Sequence, residues 1–171
     1  VTFTWGTTVR GPIDHASGAA SGSATIGDTP VNTGNVDGIV TYRITPAYNG
    51  CPGAPVNLVV TVKPLPTASG YDFTICSGQN VIVTINPAPA NVANTTFSWT
   101  VTPSLNILGA ADGDGSVINQ VLTTTDALVG TVIYSLRPFA NGCAGPVQDI
   151  IATVNPIAVV DAGEDFAVCE P

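Results

Sequence analysis

The sequence predicts an all-β chain of antiparallel β-sandwich modules joined end to end by short proline-containing linkers. Three observations carry this. Charged residues make up only 9% of the 171 residues, against roughly 25% in an ordinary globular domain. Polarity comes instead from Thr, Ser, Asn, Gly and Pro, which favour strands and turns over helices. Short β-branched and aromatic runs alternate with Gly, Pro and Asn, and no helical period appears. Finally, the chain repeats itself.

IGDTPVNTGNVDGIVTYRITPAYNGC (26–51) aligns with INQVLTTTDALVGTVIYSLRPFANGC (118–143). Gly38, Tyr42, Pro46, Asn49, Gly50 and Cys51 fall on Gly130, Tyr134, Pro138, Asn141, Gly142 and Cys143, each 92 residues apart. TVKP (61–64) falls on TVNP (153–156) at the same offset. TFTW (2–5) matches TFSW (96–99), and DFTICSG (72–78) returns as DFAVCEP (165–171). Shared composition alone would not align two Trp, two Tyr and four Cys, so the chain is a repeat array. Its frame is a complete module over 67–158, a module over 1–66 lacking the counterpart of its first quarter, and the start of a third over 159–171. The chain thus reads as part of a longer protein. The connectors VKPLPTASG (62–70) and VNPIAVVDAG (154–163) read as semi-rigid spacers.

Within the complete module, VIVTI (81–85) is the first strand expected. TFSWTV (96–101) follows, with Phe97, Trp99 and Val101 on one face. SVINQVL (116–122), GTVIYSL (130–136) with Val132 and Tyr134 on one face, and QDIIATV (148–154) complete the set. Several short strands in about ninety residues suggest a sandwich; a small barrel is the alternative. Trp5, Trp99, Tyr42 and Tyr134 are expected core anchors. Pro138 is expected to end a strand. Asn49-Gly50 and Asn141-Gly142 are expected to turn the chain with positive φ, so each Asn-Gly-Cys loop joins the last two strands, at the entry end of its module.

The four cysteines, 51, 76, 143 and 169, allow three pairings. Cys76 precedes the first expected strand and is therefore placed at the entry end, beside the loop of Cys143. A Cys76–Cys143 disulfide follows, with Cys51 and Cys169 pairing outside the chain.

The ordered set ICSG, Phe-x-Trp, GAADGDGS, GTVIY and Asn-Gly-Cys-x-Gly before Val-x-Pro resembles the PKD-like repeat of large Bacteroidetes surface proteins. These include gliding-motility adhesins exported by the type IX secretion system. The resemblance covers nearly the whole chain. It rests on Cys76, Gly78, Trp99, Gly109, Gly130, Tyr134, Pro138, Asn141, Gly142, Cys143, Gly145 and Pro156. It implies Ig-like sandwiches in many tandem copies, extracellular and at the cell surface, with structural rather than catalytic residues at these positions. The first module departs from the pattern, with Pro30 where the second has Leu122 and a divergent stretch over 6–18.

Composition excludes several functions. Four Lys and Arg against twelve Asp and Glu give a net charge of −8, which disfavours nucleic acid and anionic membranes as partners. The lone His15 has no counterpart in the second module, so it reads as a loop residue rather than a triad base. Asp112 and Asp114 form an acidic glycine loop with calcium-like character but without the remaining ligands of a calcium loop. The cysteines lack the close pairs of a zinc site. No cofactor and no enzymatic activity are expected. The expected partners are neighbouring repeats, with surface polysaccharide or another surface protein as a further class. The reading is a stalk segment of a surface adhesin. The alternatives are a direct carbohydrate- or surface-binding module, with Tyr48 and Phe139 as contact residues, or a non-catalytic appendage of a secreted enzyme.

Overall fold

The computed structural model describes residues 1–14, 16, 20, 21, 25–159 and 163. Among them every regular element is a β-strand. In the first repeat, β1 (Thr2–Arg10) pairs antiparallel with β2 (Gly38–Tyr48), and β2 with β3 (Val56–Val62). A two-residue pair, Ile13–Asp14 with Val31–Asn32, lies outside this sheet.

The second repeat holds β4 (Phe73–Cys76), β5 (Asn80–Thr84), β6 (Thr96–Pro103), β7 (Val117–Val121), β8 (Gly130–Ala140) and β9 (Gln148–Asn155). Its main sheet runs β6-β8-β9-β4, extended beside β6 by Gly113–Asp114. All main pairings are antiparallel except β9 with β4, which is parallel. The second layer is the antiparallel pair β5–β7. Alternation puts every second side chain of each strand inward. Phe97, Trp99, Val132, Tyr134, Leu136, Ile150, Ala152 and Val154 from one layer thereby meet Val81, Val83, Ile85, Ile118 and Leu122 from the other in one buried cluster. Two separate sheets facing across a core make a sandwich, which excludes the barrel alternative.

The repeat persists at the level of strand register. Trp5 stands opposite Ile44 and Phe3 opposite Pro46; Trp99 stands opposite Leu136 and Phe97 opposite Pro138. Gly38 and Gly130 are matched for the same reason. A Cβ on Gly38 would lie 2.3 Å from Ile13 Cδ1, and one on Gly130 would lie 2.3 Å from Ile107 Cδ1. An isoleucine from the preceding loop closes each core at that point.

The two cores are unequally filled. The first comprises buried Trp5, Val40 and Tyr42, with Ile26, Ile44, Val60 and Val62 only partly covered. Leu58 is 46% exposed where its counterpart Ile150 is 1% exposed. The second repeat covers that face with β4, β5 and residues 67–70; among the described residues the first has no counterpart of them.

Two expectations are corrected here. DFTIC does not merely precede the first strand: Phe73–Cys76 is itself a strand, lying along β9. Pro138 does not end β8, which continues to Ala140. Pro138 has no N–H to donate, but it sits beyond the stretch of β8 paired with β9, which ends at Leu136–Gln148. Its carbonyl instead accepts from Gly145 N–H at 2.9 Å.

Candidate functional site at the module joint

The connector between the repeats is built into the second one. Pro64 and Pro66 are both fully buried. Thr67 Oγ1 donates to Pro87 O (3.2 Å) and accepts from Ala90 N–H (3.0 Å). Ser69 exchanges backbone hydrogen bonds with Asn86 at 2.8 and 3.1 Å. Ala68 joins the core cluster. Gly70 passes so close to Ile150 that a Cβ would stand 2.1 Å from its Cδ1. A proline segment pinned by these contacts is a joint rather than a free spacer.

The Asn-Gly-Cys-x-Gly loop forms the other half of the joint. Asn141 (φ 53°) and Gly142 (φ 84°) make the turn, as do Asn49 (φ 49°) and Gly50 (φ 82°) in the first repeat. Both residues of such a turn need positive φ, which Asn and Gly tolerate. Cys143–Ala144 then pairs back onto Phe139–Ala140. Gly145 is buried against the connector: a Cβ there would lie 1.8 Å from Pro66 O and 2.9 Å from Pro138 Cγ. In the first repeat Gly53 is exposed, and a Cβ there would lie 3.1 Å from Pro46 Cγ. The loop therefore sits at the entry end of its module, and among the described residues it is the second copy that receives a connector.

Cys76 and Cys143 do not pair as expected from sequence. Cys51, Cys76 and Cys143 are free thiols, and Cys169 lies outside the described residues. Cys76 stands beside Asn155 at the exit end of the sheet, whereas Cys143 stands beside Ala140 at the entry end. Val154 pairs with Gly130, so most of β8 separates the two, about 30 Å at ~3.3 Å per residue. A disulfide needs Cα atoms about 4.4–6.8 Å apart. The error traces to the missed strand β4, which carries Cys76 from the entry end to the exit end.

The remaining candidate residues divide by burial. Trp5, Trp99, Tyr42 and Tyr134 are all buried. Trp99 Nε1 donates to Ala111 O at 3.2 Å. Tyr134 Oη donates to Gln120 at 3.0 Å, and Tyr42 Oη to Asp28 at 2.9 Å. Burial pushes the Tyr134 hydroxyl up to about 12; burial, and then the Asp28 carboxylate, push that of Tyr42 up to about 12. Tyr48 and Phe139 are 65% and 49% exposed, beside the loops. Phe139 edges a shallow groove with Thr95, Ser98, Asp114 and Arg137.

Among the described residues the candidate polar groups serve the fold. Asp112 Oδ1 accepts from Val101 N–H at 2.8 Å, so it caps a sheet edge. Asp114 lies in the short strand opposite Ser98. No group of three or more metal-ligating side chains occurs among the described residues. His15 lies outside them. Asp126 is held below the usual carboxylate range by donation from the Asn106 amide and the Leu128 N–H, which is loop structure. Among the described residues, no helix is long and apolar enough to cross a membrane.

A family model described as a PKD-like domain matches residues 1–66 and 73–158. No curated protein matches the chain.

Proposed function

The chain belongs to the PKD-like domain family, and from that premise we propose that it is a stalk segment of an extracellular bacterial adhesin. Its repeats hold a distal binding region away from the cell surface. The buried proline joint carries this reading, because a connector fixed by Pro64, Pro66 and Gly145 transmits length where a loose linker would collapse. Domains of this family are in general non-catalytic. A net charge of −8 suits an exposed, soluble repeat. Export by the type IX system and service in gliding motility extend the proposal. The test is to lengthen or shorten the array in the parent protein. Reach from the cell, measured by accessibility of a distal tag to antibody-coated beads, should change in steps with copy number while ligand specificity stays constant. Loss of specificity on removing one copy would argue against a spacer.

A second reading rests on Phe139. An exposed ring beside a groove with Arg137, Asp114 and Ser98 is the kind of surface on which sugars stack. Binding of the isolated chain to a glycan array, abolished by Phe139→Ala, would favour a carbohydrate-binding module over a spacer.

A further inference from the structure

The second repeat places its two cysteines at opposite ends, and that arrangement has a use once repeats are joined. Cys76 is the register partner of Asn155, and Ser77 N–H donates to Asn155 O at 2.8 Å. Asn155 is the last residue of β9, immediately before the exit connector that begins at Pro156. The joint between the first and second repeats shows what meets such a connector. Lys63 stands there where Asn155 stands one repeat later. Three residues beyond Lys63, Pro66 lies against Gly145, two residues from Cys143. An exit-end cysteine and the loop cysteine of the following repeat thus converge on one joint. Within a repeat, the 11-residue strand β8 holds the two apart; across a joint no strand does. Both kinds of thiol are reachable, Cys76 being exposed and Cys143 partly so.

We propose that Cys76 forms a disulfide with the loop cysteine of the repeat that follows it, so that every joint of the array carries one covalent staple. The inference rests on the tandem-array reading above. It gives each cysteine a partner: Cys143 and Cys51 receive from the preceding repeat, and Cys76 and Cys169 give to the following one. The step needs a disulfide oxidant such as glutathione disulfide. Two S–H bonds break and one S–S bond forms. The two protons and two electrons pass to the oxidant, which leaves as two thiols. Thiolate attack through a mixed disulfide carries out the exchange.

The test compares the chain with a version extended by a second copy of residues 67–158 inserted after Ala158, with Ala158→Pro so that the new joint keeps both the spacing and the proline of Pro66. Both are equilibrated with glutathione disulfide, quenched by alkylation and mapped by mass spectrometry without reduction. The extended chain should yield one linked peptide, joining Cys76 of the first copy to Cys143 of the inserted copy. Cys76→Ser in the first copy should release that loop thiol for alkylation. In the unextended chain, no bond should link any two of Cys51, Cys76 and Cys143. Alkylated thiols at both positions of the extended chain would overturn the staple, as would a Cys76–Cys143 bond within one copy. Scattering of the same extended sample separates the two readings. Free thiols in repeats that still stand end to end remove only the staple; repeats that fold back side by side remove the spacer reading as well.

Discussion

Gly145→Ala tests the joint with a single methyl group. Residue 145 does not have the positive φ that would strain an alanine, so the substitution is opposed by space alone. The added Cβ would lie 1.8 Å from the carbonyl oxygen of Pro66 and 2.9 Å from its carbonyl carbon. Neither is a flexible side-chain end. Ordinary contact requires the connector to retreat by about 1.5 Å, and overpacking of this kind costs about 1–3 kcal/mol. Reduced freedom of the unfolded chain returns about 0.4–1 kcal/mol. The net loss, about 1.3 kcal/mol at the middle of these ranges, should lower the melting midpoint of the second repeat by roughly 5–10 °C, at 4–8 °C per kcal/mol for a domain of this size. Gly53→Ala is the control, since its Cβ would meet Pro46 alone, no nearer than 3.1 Å, on an exposed loop. The assay is calorimetry of both variants, with Trp99 fluorescence in a Trp5→Phe background to follow the second repeat alone. Equal midpoints for the two variants would refute the claim that Gly145 clamps the connector.

Leu122 is fully buried, so Leu122→Ala should cost about 2–5 kcal/mol by chemical denaturation. Alkaline stability should follow the buried tyrosines. Tyr42 and Tyr134 ionise near pH 12 when folded against 10 when unfolded. Their contribution is therefore intact below pH 10 and lost as pH rises through 12; absorbance at 295 nm should show two phenolates appearing late, together with unfolding. Gly130→Ala must displace the end of Ile107 by roughly an ångström and should cost about 1–3 kcal/mol, as measured by thermal melts.

Much of the fold was legible in the sequence because it rests on local signals. Alternation over 96–101 and 130–136 gives β6 and β8 their inward faces, and Asn-Gly before Cys gives a turn with positive φ. What failed to show was long-range. Four residues of DFTIC are too few to read as a strand, and β4 exists because it lies along β9. The Asp72 carboxylate accepts from Ile151 N–H at 2.8 Å, across 79 residues. That one missed strand sent Cys76 to the wrong end and produced the wrong pairing. The prolines of the connector were visible, but their burial depends on Gly145 and on the hydrogen bonds of Thr67 and Ser69, which no local pattern encodes. Of the site, the sequence located the loop and its repeat; the contact that makes it a joint came from the tertiary structure.

Small-angle X-ray scattering of the chain shows whether the repeats stand end to end on a fixed joint. The longest strand in each repeat has 11 residues, so each module is about 36 Å long at ~3.3 Å per residue. Two such modules end to end give a maximum dimension of about 70–80 Å at ~3.3 Å per residue, with one narrow distance distribution that does not change with temperature below the melt. A maximum near 45–50 Å, or a broad distribution fitted only by freely reorienting modules, would contradict it.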